Sequence, residues 1–158
     1  MNFVMKPIGV IRTPFSDKSG MPIQPRFSQA VGQVEVFEEY AAGLQDLEGF
    51  SHVILIYALH RSEGYSLRVK PFLDDVARGL FATRHPGRPN PIGLSTVRLL
   101  AWRDRALEVE GIDVLDGTPL LDIKPYVPDF DARPDARAGW YEKRPPDKEG
   151  AELRIGLP

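Results

Sequence analysis

The residues best suited to chemistry fall in two short stretches. Residues 82–95, ATRHPGRPNPIGLS, carry Arg84, His85, Arg88 and Asn90 among three prolines and two glycines. Proline fixes φ, so such a loop has little conformational freedom left to lose when a ligand binds. A guanidinium presents a planar fork of N–H donors that matches carboxylates and phosphates, and it stacks on flat bases. The stretch therefore offers preorganised recognition of anions and bases. A proline-stiffened surface turn with solvated arginines would have the same composition. The number of hydrogen-bonding groups held in one rigid connector favours a binding role. In the second stretch, Asp116, Gly117, Thr118 and Pro119 have the composition of a tight turn. Leu120 to Tyr126 follows, with Asp122 and Lys124 close together. The local sequence reads most simply as a turn before a strand. The glycine would also let backbone approach a ligand closely.

Other chemistries are missing from the sequence. It contains no cysteine, so disulfides and thiolate metal sites are excluded. No Gly-x-Gly-x-x-Gly or Walker-type loop is present, which argues against a doubly wound nucleotide-binding fold. No Gly-x-Ser-x-Gly elbow is present either. The three histidines are His52, His60 and His85. His52 and His60 are expected on one face of one strand, too far apart to share a metal, and no metal site is expected. Residues 1–10 have one lysine and no long apolar core, unlike a signal peptide. The longest apolar run, 53–59, is too short to cross a bilayer, and a cytoplasmic location is expected. The formal net charge is −2. Contact with nucleic acid must then rest on a local basic patch or a shaped pocket.

These loops need a scaffold. The chain of 158 residues fits one domain with a real core. Glycines and prolines punctuate short apolar runs, the pattern of strands joined by turns. Strands are predicted over 4–11, 30–37, 52–60, 65–69, 92–100, 107–112 and 120–123. The run 52–60 is apolar enough for burial on both faces. Helical spacing appears only at Tyr40, Leu44 and Leu47, and at Phe72, Val76 and Leu80. The expected fold is mainly β: a single small barrel with one or two short helices, closure being the way to remove strand edges. Residues 1–127 form this domain. Residues 128–158 read as an irregular C-terminal segment packed on the barrel, anchored by Phe130, Trp140 and Tyr141.

Several segments together resemble the TsaA-like family, also called the tRNA methyltransferase O family. They are Ile8-Gly9-Val10-Ile11-Arg12-Thr13-Pro14, Gln24-Pro25-Arg26-Phe27 and Leu47-Glu48-Gly49-Phe50-Ser51-His52, with the strand ending at His60. The strongest are Phe81-Ala82-Thr83-Arg84 with Arg88-Pro89-Asn90-Pro91-Ile92-Gly93-Leu94-Ser95, and the run Asp116 to Tyr126. The resemblance covers about the first four-fifths of the chain. It implies a β-barrel, S-adenosylmethionine as cofactor, a homodimer, and N6-methylation of threonylcarbamoyl-adenosine beside the anticodon of tRNA. It carries cofactor contacts onto Pro25, Arg26, Phe27, His60, Arg61, Arg84 and Leu94, and onto Asp116, Gly117, Thr118, Pro119 and Leu120. Long bacterial members have an additional C-terminal domain, which this sequence is expected to lack.

Methyl transfer from a sulfonium is an in-line displacement, and most of its rate can come from alignment. That fits a sequence with no triad and no paired carboxylates. Phe27, Leu94 and the backbone of 116–120 suit an adenine slot, and Arg84 or Arg26 suits the cofactor's carboxylate. Arg84, Arg88, Asn90 and Lys124 are the candidates for reading the substrate's carboxylate, phosphates and bases. The proton lost by the attacking nitrogen has three candidate acceptors: His60, Asp122 and water. Two other readings stay open: a methyltransferase acting on another RNA or a small molecule, and a non-catalytic barrel that binds S-adenosylmethionine.

Overall fold

The computed structural model describes residues 3–143. Eight strands run β1 (Gly9–Arg12), β2 (Val31–Val36), β3 (His52–Ala58), β4 (Arg68–Val69), β5 (Arg78–Gly79), β6 (Ile92–Arg103), β7 (Ala106–Glu110) and β8 (Thr118–Pro125). Six of them close a barrel in the order β1-β2-β7-β6-β3-β8. Every neighbouring pair is antiparallel. β4 and β5 form a separate two-stranded ribbon.

Alternation dictates the wall. In β2, Gly32, Val34 and Val36 point inward; in β3, Val53, Leu55 and Tyr57; in β7, Leu107 and Val109. With Ile11, Val97, Ile112, Val114 and Leu120 they fill the core. β3 proves buried on one face only. Ile54, Ile56 and Ala58 alternate with its core residues and are half-exposed on the outer wall. An antiparallel barrel needs only its inner face covered, so the continuous apolar run did not require burial on both sides. Two bulges bend the wall. Leu121 in β8 and Leu100 in β6 are each skipped in the pairing with the neighbouring strand.

The predicted helices are not α-helices. Leu44 and Leu47 are buried, so that apolar spacing is real, but the chain forms 3-10 turns over Glu38–Leu44 and Leu47–Gly49. Asp46, at φ 67°, breaks any continuous helix between them. Around Phe72 to Leu80 the buried residues are Leu73, Asp74 and Leu80, while Phe72 and Val76 are exposed. The segment is held by the Asp74–Arg78 ion pair at 2.7 Å and by β5. The strand expected over 65–69 is reduced to β4, and the first strand begins only at Gly9. His60 lies in a turn beyond β3, so it does not share that strand's face with His52.

After β8, α1 (Pro128–Asp131) and a 3-10 turn at Gly139–Lys143 follow. Trp140 donates its indole N–H to the Ala82 carbonyl at 2.6 Å. The Arg78 guanidinium sits 5.9 Å over its ring. This part of the chain is thereby tied to the connection between β3 and β6. Residues 144–158, which complete the C-terminal segment read from sequence, lie outside the described residues.

Candidate functional site

The strand directions place three connections on one rim of the barrel: 13–30 after β1, 59–91 after β3 and 111–117 after β7. The opposite rim receives 37–51 and the tight β6–β7 hairpin. Of the segments singled out from sequence, 24–27, 82–91 and 116–117 are on the first rim, whereas 47–51 leads into β3 from the opposite one. Charge follows the same division. The three rim connections carry eight lysines and arginines against six acids, while 37–51 carries four acids and no lysine or arginine. A mildly acidic protein thus offers a net positive end to anions.

The rim is assembled by cross-bracing. The long excursion 59–91 leaves and returns at one point, where the Leu59 N–H meets the Pro91 carbonyl at 2.7 Å. Segment 24–30 docks on the start of 111–117. The Ser28 hydroxyl donates to the Ile112 carbonyl at 2.6 Å, and the Gly111 N–H donates to the Ala30 carbonyl at 2.9 Å. Gly111 has φ 92°, a conformation that favours glycine. Asp116 accepts the Thr13 N–H at 3.1 Å, and the Arg61 guanidinium reaches the Ser16 carbonyl at 2.8 Å. Gly117 turns the chain into β8 at φ 77°, with open space where a Cβ would project.

The candidate cofactor residues all occupy this rim. Pro25–Phe27 form a 3-10 turn beside β6. Arg84 donates to Gln24 Oε1 at 2.6 Å, which joins the proline-rich loop to that turn. Leu94 is half-exposed on the outer wall near the start of β6, next to exposed Ile92. His60 and Arg61 sit in the turn leaving β3. Thr118 and Leu120 are buried in β8, so only the backbone there and the partly exposed Asp116, Gly117 and Pro119 can face a ligand.

The candidate substrate residues divide. Arg88 is folded back on its own loop, one nitrogen donating to the carbonyls of Thr83 at 2.9 Å and His85 at 3.3 Å. Its guanidinium lies 5.7 Å over the Phe81 ring. That nitrogen therefore braces the loop. Asn90 is exposed at the rim. Asp122 and Lys124 pair with each other at 2.7 Å on β8, opposite Ile56 and Ile54 of β3. The structure does not bring them into the rim connections.

One group was missed from sequence. Tyr57 and Ser95 both point inward near the rim, and the Tyr57 hydroxyl lies 2.8 Å from Ser95 Oγ. Ser95 Oγ in turn donates to Asp113 Oδ1 at 2.6 Å. Burial pushes the Asp113 carboxyl up to about 7, with the Ser95 hydroxyl, its own backbone N–H and the Arg84 charge pulling the other way. Burial, and then the Asp113 charge, push the Tyr57 phenol well above its ordinary range. The inward parity of Tyr57 and Ser95 was readable from β3 and β6. Asp113 joins them only once the barrel closes.

The donor set suits a zwitterionic nucleoside. Arg84 and Arg26 can take a carboxylate, Phe27 and Leu94 an adenine face, and the 116–120 backbone polar edges. Among the described residues, no cluster of histidines and acids is placed to hold a metal. Nor is any helix there long and apolar enough to cross a membrane.

Comparison with known proteins places this barrel. Residues 10–132 match the family described as the tRNA-methyltransferase O N-terminal domain. The chain is 51% identical over 139 residues to a probable S-adenosyl-L-methionine-binding protein of Pyrococcus abyssi, covering 87% of this chain and 76% of that protein. It is 38% identical over 167 residues to the tRNA (adenine(37)-N6)-methyltransferase of Escherichia coli, covering 99% of this chain and 69% of that protein. The crystal structure of TrmO from Pseudomonas aeruginosa superposes with a TM-score of 0.75 at 42% identity, over 88% of this chain and 62% of that one. The chain thus spans about three-fifths of that solved protein. Barrel, rim loops and sequence agree: this chain belongs to the tRNA-methyltransferase O N-terminal domain family.

Proposed function

We propose that this protein binds S-adenosylmethionine at the three-connection rim and transfers its methyl group to N6 of a threonylcarbamoyl-adenosine beside a tRNA anticodon. The observation that carries the reading is the placement of 24–27, Arg84, Leu94 and 116–120 at one positively charged end of the barrel, with Arg84 bonded to Gln24. Bound S-adenosylmethionine supplies an activated methyl on a sulfonium. The protein's own work is alignment. Arg84 is the better partner for the cofactor's carboxylate. Gln24 fixes its guanidinium, and its charge reaches Asp113 and Tyr57. Phe27 and Leu94 supply apolar surface, and the Gly117 turn lets backbone approach. Arg84, Arg88 and Asn90 face anionic and unpaired nucleotides, as in an anticodon loop. Lys124, standing on β8, would contribute only where RNA extends along the wall.

The protein is taken as a cytoplasmic homodimer. The exposed apolar pair Ile92 and Leu94 on the outer wall supports a second copy covering the site's edge. Residues up to 127 are taken as the barrel domain, with 128–143 following it and tied to it at Trp140.

Incubating the protein with labelled S-adenosylmethionine and tRNA from cells with and without the threonylcarbamoyl modification tests the reading. Label is expected only in modified tRNA. Label in neither pool, or in both equally, would refute it. Cofactor binding without transfer to any RNA would favour a non-catalytic barrel.

A further inference from the structure

We propose that Asp113 takes the proton from the attacking nitrogen, a role that rests on the methyl-transfer reading above. Its carboxyl lies at the rim in the connection after β7, with Oδ1 held by Ser95 at 2.6 Å and Ser95 held by Tyr57 at 2.8 Å. The core of the barrel fixes this line. Ser95 and Tyr57 are 1% and 4% exposed, and Tyr57 packs against Gly93, its partner across the β3–β6 ladder. Arg84, from the connection after β3, sets its charge toward the same carboxyl.

Several other acids and histidines near the rim are differently engaged: Asp17 accepts the Ser19 N–H, Asp74 pairs with Arg78 and Asp75 with Lys70. Asp116 holds the Thr13 backbone, His85 accepts the Gly87 N–H, and His60 sits exposed in its turn. Asp122 is paired with Lys124 on β8. The charged or titratable groups that act on Asp113 are Arg84 from 59–91 and Tyr57 from β3. Arg26, on the 24–30 segment, is exposed.

The step balances. The nitrogen forms its bond to the methyl carbon, the carbon–sulfur bond breaks with its electron pair left on sulfur, and the nitrogen's proton passes to Asp113 Oδ2. The carboxylate ends neutral and sulfur ends as an uncharged thioether. An acid that burial has moved to about 7 is matched to proton transfer at neutral pH.

The same burial has a stability consequence. A carboxyl whose folded pKa exceeds its unfolded value binds more protons in the folded state. Its contribution is present below the unfolded pKa near 4 and is lost as pH rises to about 7. Asp113→Asn keeps the shape and the acceptor for Ser95 but removes the ionisation. Without cofactor, its Tm is expected to exceed that of the native protein by about 3 °C or more at pH 8 and to match it near pH 4. In methyl transfer its rate is expected to fall by about 100-fold or more, with the acidic limb of the pH–rate profile gone. Ser95→Ala withdraws a hydrogen bond that favours the charged form, so it is expected to remain active with that limb moved to higher pH.

Three results would each overturn the assignment: Asp113→Asn within threefold of native rate, an unchanged limb in Ser95→Ala, or no pH-dependent gap in Tm. A native protein that methylates no tRNA would sink the functional reading and this role with it. Active native protein with an unaffected Asp113→Asn variant would sink this role alone.

Discussion

Arg84→Ala weakens S-adenosylmethionine binding by about 10- to 100-fold in isothermal titration, while Tm without cofactor stays nearly unchanged. This is the largest loss of binding expected from any single candidate cofactor-binding side chain on the rim. A charge-assisted hydrogen bond to a carboxylate contributes about 1.5–3 kcal/mol, which sets that range. Arg84 is exposed and anchors no core residue, so folding does not depend on it. Its loss also releases Gln24 and loosens the turn that carries Pro25–Phe27. Arg84→Lys keeps the charge without the planar fork and falls between the two. Undiminished affinity in Arg84→Ala would move the carboxylate's partner to Arg26.

Gly93→Ala is expected to lower stability sharply. A Cβ at Gly93 would sit 2.1 Å from Cε2 of the Tyr57 ring and 2.5 Å from Cζ. The ring is buried in the barrel and its hydroxyl is tied to Ser95, so it has little room to withdraw. Overpacking of this kind costs about 1–3 kcal/mol, occasionally more, because cores are close-packed. For a chain of this length that is a Tm about 2–12 °C lower by calorimetry. Moving Tyr57 also disturbs the line to Asp113, so methyl transfer falls in whatever protein remains folded. A Tm within a degree of the native value would show that the ring can shift freely and that the Tyr57–Ser95–Asp113 line is not rigid.

How much of this was legible in the sequence depends on the range of the physics involved. Strands were readable because alternation is local: Val34 and Val36, or Leu107 and Val109, declare an inward face without reference to the rest of the chain. The helical spacing at Tyr40, Leu44 and Leu47 is realised as two short 3-10 helices, while that at Phe72, Val76 and Leu80 is not realised as a helix. No N-cap side chain bonds the backbone at Glu38–Leu44 or Leu47–Gly49, and a left-handed Asp46 interrupts the run.

The rim loops were found through their composition, since proline, glycine and arginine in one stretch are unusual whatever the fold. What each side chain does there depends on neighbours distant in sequence. Arg88 looked as displayed as Arg84, yet one folds onto its own loop and the other reaches Gln24. Asp122 and Lys124 were noticed because they are adjacent, and adjacency on a strand made them partners of each other. Asp113 gave no local signal. Residues 57, 95 and 113 meet only because β6 pairs with both β3 and β7.

The central claim is that one rim, and not the other, is the site. Hydrogen–deuterium exchange with and without S-adenosylmethionine tests it most directly. The account expects slowed exchange in 24–30, 82–95 and 111–118, with 37–51 and the Asp104–Arg105 hairpin unchanged. Protection confined to 37–51 and that hairpin, or no protection at saturating cofactor, would contradict it.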